Sequence, residues 1–291
     1  MRIKQLFITC ILLIVGASSV KAQRPDLKNI SEQGVPEKIY KVVAHRGGWL
    51  ECNEPDCSIA SLKYAIAVGS YAAELDVVIT KDNEILVVHP HDGNLVNGMV
   101  PYEHTLAEIR AAGKLANGEE IPTLQEYVTV VLDKGQNPLG TKLWIDVKKL
   151  TKKGESAEIK YTIDACIRSA EIIREMAAEN YCEFLIPTGE ELIEAVRDRI
   201  TDEFKINIAW MTATHPSAYK QAWAQLPYQS VFGPEARLKP EDFFEADVPL
   251  SVYGVNDEKR MAVIMPYYGQ LKAVFTNYPM QLINKLRKAG Y

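Results

Sequence analysis

Short apolar runs bounded by polar residues recur along the chain at 40–44, 73–79, 142–147, 183–186, 206–210, 230–233, 250–255 and 272–276, each the length of a strand. Helical periodicity lies between most of them, over 58–68, 156–179, 189–200, 216–225 and 280–288. Eight strands separated mainly by helices predict an α/β chain folded as a (β/α)8 TIM barrel. A ninth apolar run, Leu86-Val87-Val88-His89, follows the second strand after only Lys81-Asp82-Asn83-Glu84. A parallel neighbour needs a crossover of about a dozen residues, so this run is expected to fold back as a small hairpin insertion after the second strand.

The amino terminus reads differently. Met1-Arg2-Ile3-Lys4 is basic, residues 6–17 are almost unbroken apolar chain, and Val20-Lys21-Ala22 has the small or aliphatic residues that a signal peptidase reads. The apolar stretch is shorter than the roughly 20 residues of a spanning helix. Residues 1–22 are therefore expected to be a removable signal, leaving 23–291 as a single barrel domain that is exported, periplasmic or secreted, with no stable membrane anchor after cleavage.

Cleavage removes Arg2, Lys4 and Lys21 and no acid, so the formal net charge falls from -5 to -8. An acidic chain is a poor partner for nucleic acid or an anionic membrane surface. Four cysteines remain, Cys52, Cys57, Cys166 and Cys182, and neither their number nor their spacing resembles a disulfide scaffold or a zinc site. Buried free thiols are the expectation.

The charged residues inside the apolar strands change the picture. In Glu74-Leu75-Asp76 the two acids are at i and i+2, so they project from one face of a strand. Two carboxylates side by side repel and are costly to desolvate, which calls for a cation or a nearby Arg or Lys. Asp146-Val147-Lys148 repeats the spacing with an acid and a base, and His45-Arg46 ends the first strand. Active sites of such barrels lie where the strands end, so this charge is expected at one mouth as a site.

His45-Arg46-Gly47-Gly48, Glu74-Leu75-Asp76-Val77 with Thr80-Lys81-Asp82, His89, Ile121-Pro122-Thr123-Leu124-Gln125-Glu126, Asp146-Val147-Lys148, Tyr253-Gly254-Val255-Asn256 and Thr276-Asn277-Tyr278-Pro279 together resemble the ordered motifs of the glycerophosphodiester phosphodiesterase family. The resemblance runs from about Val42 to Pro279. It implies a barrel enzyme, a phosphoric diester hydrolase that releases glycerol phosphate and an alcohol from a small-molecule diester. It implies that Glu74, Asp76 and Asp146 bind one divalent cation, Ca2+ or Mg2+. His45 and His89 would be the catalytic acid-base pair, and Arg46 and Lys148 would bind the substrate phosphate.

The chain departs from the family pattern at several places. Asp146 stands where Glu is usual, and Pro55-Asp56-Cys57-Ser58 replaces Pro-Glu-Asn-Thr, with Glu54 available under a shifted alignment. Pro90 follows His89 in place of Asp, Pro187-Thr188 replaces Ser-Phe, and Thr276-Asn277 replaces Thr-Asp. Tyr253 is expected near the ligand. His91 and Asp92-Gly93-Asn94 read as loop and turn, and His104 and His215 as surface or helix-start residues. These departures leave open a different diester, such as a lysophospholipid or a sugar-linked one, a cyclising lipase-type reaction, or a barrel that binds ligand without turnover. Oligomeric state is not legible.

Overall fold

The computed structural model describes residues 38–90, 95–149, 159–187, 190–211, 216, 219 and 222–291. The expected signal segment 1–22, His91, Asp92-Gly93-Asn94, Thr188 and His215 lie outside the described residues. So do 156–158 and Gly189 at two expected helix starts.

Among the described residues nine strands form one sheet: β1 (Tyr40–Ala44), β2 (Ser70–Ile79), β3 (Ile85–Val87), β4 (Lys142–Val147), β5 (Cys182–Ile186), β6 (Asn207–Trp210), β7 (Trp223–Pro227), β8 (Leu250–Tyr253) and β9 (Ala273–Thr276). Eight of them run parallel in the order β1-β2-β4-β5-β6-β7-β8-β9, and β1 pairs with both β2 and β9, which closes the barrel. The ninth, β3, pairs antiparallel with the far end of β2, Val77 opposite Val87 and Ile79 opposite Ile85. The expected barrel and its hairpin are therefore both present. Among the described residues no helix is long and apolar enough to cross a membrane.

One strand is displaced from its expected place. Residues 230–233 are not a strand; Tyr228–Val231 is a helical turn, and the strand is Trp223–Pro227, overlapping the end of the expected 216–225 helix. The cause is a polar residue pointing inward. Trp223 and Gln225 face the barrel axis, where the Trp223 indole N–H donates to Ser251 Oγ at 2.8 Å and the Ser251 hydroxyl donates to Gln225. Ala224 and Leu226 face the helices. The two-residue period is intact, but its inner face is not aliphatic, so it does not read as an apolar run.

Local chemistry sets the helix starts. Ser58 caps the helix Ile59–Ala67 by accepting from Ser61 N–H. The Ile-Pro-Thr-Leu-Gln-Glu motif is a capping box: Thr123 Oγ1 accepts from Glu126 N–H, and the Glu126 carboxylate accepts from Thr123 N–H, opening Leu124–Leu132. Glu51 accepts from the N–H groups of Met280 and Gln281 at 2.8 and 3.0 Å, tying the loop after β1 to the helix Pro279–Lys288.

The barrel interior is a plug, not a pore. Trp144 packs against Trp223 and Phe275 with ring centroids 5.1 and 5.3 Å away, among Val43, Ala72, Leu185, Ala209 and Ala273. At the end where the strands begin, buried Glu183 meets Trp144 Nε1 at 2.6 Å, Asn207 Nδ2 at 3.1 Å, Lys272 Nζ at 3.4 Å and Lys142 Nζ at 3.6 Å. Charge at that end closes the barrel, as expected for the stability face of the fold. All four described cysteines are buried and free.

Candidate active site

The site lies at the opposite end, where the strands finish. On β2 and β4 the register sets Asp76 directly opposite Asp146 and Glu74 opposite Trp144. The alternation that turns Leu75, Val77, Ile145 and Val147 toward the helices turns the three acids inward. Glu74, Asp76 and Asp146 are all buried, and one oxygen from each lies within 4.8 Å of the others.

The loop after β1 wraps this cluster. Arg46 takes a left-handed conformation, φ 48° and ψ 41°, and Gly47 and Gly48 both have φ 79°. The turn aims the Arg46 N–H at Glu74 Oε2, 2.9 Å away. Its guanidinium reaches Asp76 Oδ2 at 3.0 Å through Nε and Asp56 Oδ2 at 2.9 Å through Nη1. Gly47 has no alternative: a Cβ there would stand 2.4 Å from Ser61 Oγ and 2.5 Å from its backbone carbon. At Gly48 a Cβ would come within 2.9 Å of the Pro279 ring.

Lys148 approaches from the end of β4. Its Nζ is 2.6 Å from both Asp76 Oδ1 and Asp146 Oδ2. His45 Nδ1 is 2.6 Å from Asn277 Oδ1, and His45 Nε2 is 3.8 Å from Glu74 Oε2. His89 follows β3, where Val88 N–H donates to the Asp76 carbonyl at 2.9 Å, and its imidazole is close enough for its charge to favour the Asp76 carboxylate. Tyr253 ends β8, half-buried, where burial and the Asp146 carboxylate raise its pKa.

The structure thus brings together His45, Arg46, Glu74, Asp76, His89, Asp146, Lys148, Asp56 and Tyr253. It does not bring in Glu54, whose carboxylate accepts from Asn117 Nδ2 at 3.1 Å instead. The alignment with Asp56 in the loop is the one that folds, because Asp56 is the acid within reach of Arg46. His104 turns back onto the Val100 carbonyl at 3.0 Å.

Two participants were not legible as such. Cys57, buried with φ 55°, directs its thiol to Asp76 Oδ2 at 3.6 Å. Burial, followed by the Asp76 and Glu74 charges, raises its pKa well above normal, so it is a hydrogen-bond donor and not a nucleophile. Asn277 is the other; its position just after β9 was the available signal.

Electrostatics divides the three acids. Burial works against ionisation of Asp76, yet Lys148 and Arg46 hold its pKa below normal. Burial and then the charges of Asp76 and Asp146 push Glu74 well above the carboxylate range. Asp146 is also raised, by burial, against the pull of Lys148. Lys148 is held protonated: burial lowers its pKa, and Asp146, Asp76 and Glu74 more than restore it. The three acids outnumber the two cations, Arg46 and Lys148, and Glu74 answers the excess by holding a proton, whose place a metal ion could take; the donors are all hard oxygens. That arrangement fits a divalent cation of the calcium or magnesium kind.

A parallel barrel with a buried acidic cluster able to hold a divalent cation at its C-terminal mouth is the class that fold and site define. Residues 45–281 match the model of the glycerophosphoryl diester phosphodiesterase family, and the chain belongs to that family. A curated glycerophosphodiester phosphodiesterase of Caldanaerobacter subterraneus subsp. tengcongensis is 36% identical over 102 residues, a match that spans 32% of this chain and 41% of that protein. The fold is similar to a crystal structure of a glycerophosphodiester phosphodiesterase from Parabacteroides distasonis, with TM-score 0.69, 21% identity, and coverage of 87% of this chain and 99% of that one. It is also similar to an Oleispira antarctica phosphodiesterase solved with its product sn-glycerol-3-phosphate, with TM-score 0.61, 22% identity, and coverage of 86% and 97%.

Proposed function

We propose that this chain is an exported, metal-dependent phosphoric diester hydrolase that cleaves a glycerophosphodiester to glycerol phosphate and an alcohol. The observation that carries the reading is the convergence of two imidazoles, an arginine and a lysine on one buried three-carboxylate cluster. A ligand-binding barrel needs the cations, but it has no use for a proton acceptor and a proton donor.

Glu74, Asp76 and Asp146 are the residues that would hold one Ca2+ or Mg2+. When bound, such a cation supplies Lewis-acid polarisation of a phosphoryl oxygen. Arg46 and Lys148 neutralise the non-bridging oxygens as charge builds in the transition state. An attacking hydroxyl, from water or from the glycerol itself, gives its proton to one histidine as the new P–O bond forms. The bond to the leaving alcohol breaks, and the other histidine protonates the alkoxide; attack by water gives glycerol phosphate directly, whereas attack by the glycerol hydroxyl gives a cyclic phosphate that water then opens, with the histidine roles exchanged, to glycerol phosphate. Imidazole serves both steps because its pKa lies near neutral pH. Tyr253, at the end of β8, forms part of the wall for the organic portion of the substrate.

The sn-glycerol-3-phosphate held by the Oleispira antarctica relative supports a glycerol phosphate product here. The test is to incubate the mature chain, 23–291, with glycerophosphocholine, a lysophospholipid and a sugar-linked diester, and to follow products by phosphorus NMR. Glycerol phosphate from glycerophosphocholine confirms the reading. Turnover confined to another diester moves the substrate, a cyclic phosphate product moves the reaction, and no turnover of any of the three removes the enzyme assignment.

A further inference from the structure

The insertion after β3 reaches across to the loop that wraps the acids. Residues 115–119 close on themselves: Leu115 N–H donates to the Glu119 carbonyl at 2.9 Å, Gly118 N–H to the Leu115 carbonyl at 2.8 Å, and Glu119 N–H to Asn117 Oδ1 at 3.1 Å. From this turn the Glu119 carboxylate accepts from Ile59 N–H at 2.9 Å and from Ala60 N–H at 3.2 Å. Asn117 Nδ2 donates to Glu119 Oε1 at 3.0 Å and to Glu54 Oε2 at 3.1 Å, so it spans the same gap. The helix Ile59–Ala67 therefore starts on acceptors from two separate segments, Glu119 taking its first two N–H groups and Ser58 the third. A carboxylate at that end is also favoured by the helix dipole.

Between Glu54 and that helix lie two residues that touch the site. Asp56 Oδ2 is 2.9 Å from Arg46 Nη1, and the Cys57 thiol is 3.6 Å from Asp76 Oδ2. Cys57 has φ 55°, a left-handed conformation that a residue with a Cβ keeps only when its surroundings hold it there. On one side its own N–H meets the Arg46 carbonyl at 3.5 Å. On the other, the Ser58 carbonyl accepts from the Tyr127 hydroxyl at 2.8 Å, and Ile59 is held by Glu119. Without the Glu119 carboxylate, two helix N–H groups lose their acceptor, and the strained segment beside them has one hold fewer against relaxing away from Arg46.

We propose that Glu119 is a positioning residue: through the start of the helix Ile59–Ala67 it holds Asp56 and Cys57 where they orient Arg46 and Asp76. The insertion thereby acts as a clasp on the loop after β1, and the direction of the Arg46 guanidinium is set by a residue that does not itself reach the site. The phosphate-binding role of Arg46 rests on the phosphodiesterase reading above; its placement by Glu119 does not.

The Arg46 Nε–H resonance reports that placement without substrate. In protein labelled with 15N-arginine it is assigned by its loss in Arg46→Lys. In Glu119→Ala the resonance is expected to move and to exchange faster with water, and inorganic phosphate, titrated by calorimetry, to bind about 10-fold more weakly, the low end for outer partners of a functional group. Thr105→Ala is the control, because it removes a cap elsewhere in the same insertion, where Thr105 bonds Glu108 ahead of the helix Leu106–Ala112. It is expected to lose stability while keeping the parent resonance and the parent phosphate affinity. Glu119→Gln keeps the size and one acceptor, and is expected to shift both readouts in the same direction by less, which serves if the Ala variant does not fold. An unmoved Arg46 resonance in the Glu119 variants, or an equal movement in Thr105→Ala, overturns the proposal. If the resonance moves as expected and the parent protein binds no phosphate, the clasp stands and the phosphodiesterase reading fails.

Discussion

Asp76 and Asp146 stand directly opposite one another on adjacent parallel strands, and the Lys148 ammonium bridges them at 2.6 Å from each. Two carboxylates forced together by strand register cannot both remain ionised and buried without a cation between them. The register is set by apolar alternation on the outer faces of β2 and β4. The barrel core thereby dictates a concentration of negative charge at its mouth, and the rest of the site is the response to it.

Glu74 gives that charge a pH dependence. Its folded pKa is raised above the ordinary 4.5, so the metal-free protein holds a proton there that the unfolded chain releases. This contribution to stability is complete below the ordinary value and is lost as pH rises through the raised one. Thermal unfolding in chelator should therefore show a stability loss on that alkaline side that Glu74→Gln removes. Binding a divalent cation expels the proton, so cation affinity measured by calorimetry should rise with pH over the same window. A flat affinity profile would contradict this.

The two histidines should matter for rate and little for stability. Both are partly exposed beside the mouth and neither is part of the core. His45→Ala and His89→Ala are each expected to lower kcat by about 10²- to 10⁴-fold, the range for general acid-base groups. Urea midpoints should stay close to the parent value. A variant with near-normal turnover takes that histidine out of the mechanism.

Gly47 and Gly98 form a matched pair of left-handed glycines. Gly47 has φ 79° with Ser61 inside contact distance, whereas Gly98 has φ 76° and nothing within 4 Å of a Cβ. Gly98→Ala is expected to cost about 1–2 kcal/mol, the left-handed penalty alone. Gly47→Ala adds an overlap with backbone that cannot move, and should cost several-fold more or prevent folding. Chemical denaturation of the two variants side by side measures the difference; equal losses would show that the loop after β1 is slack.

Glu183 separates stability from chemistry. It is buried at the closed end among Lys142, Lys272, Asn207 and Trp144, far along the strands from the acids at the mouth. Glu183→Gln leaves two lysines without their counter-charge and is expected to cost about 3 kcal/mol. The kcat of the folded fraction should be unchanged. A change in kcat with little loss of stability would mean that the plug communicates with the mouth.

Much of this was legible from residue order because β1, β2 and β4 combine clean apolar alternation with charges that have no business in a core. Glu74, Asp76, Asp146 and Lys148 identify themselves in that way. The strand at Trp223–Pro227 did not, because Gln225 points inward and meets Ser251, a contact 26 residues away. Asp56 and Glu54 could be told apart only by where the left-handed turn at Arg46 sends its guanidinium. Cys57 and Asn277 looked like departures from a pattern; their roles depend on distances to Asp76 and His45 that no local spacing encodes. Residues that answer charge with charge stand out in sequence, and those that position a neighbour become visible only in three dimensions.

The central claim is that the buried acids exist to hold a divalent cation for phosphodiester hydrolysis. The most direct measurement is release of glycerol phosphate from glycerophosphocholine by residues 23–291, first after exhaustive chelation and then with Ca2+ or Mg2+ restored. The account predicts that chelation abolishes release, that cation restores it, and that Asp76→Asn or Asp146→Asn abolishes the restoration. Undiminished release in chelator, or full restoration in both variants, would contradict it.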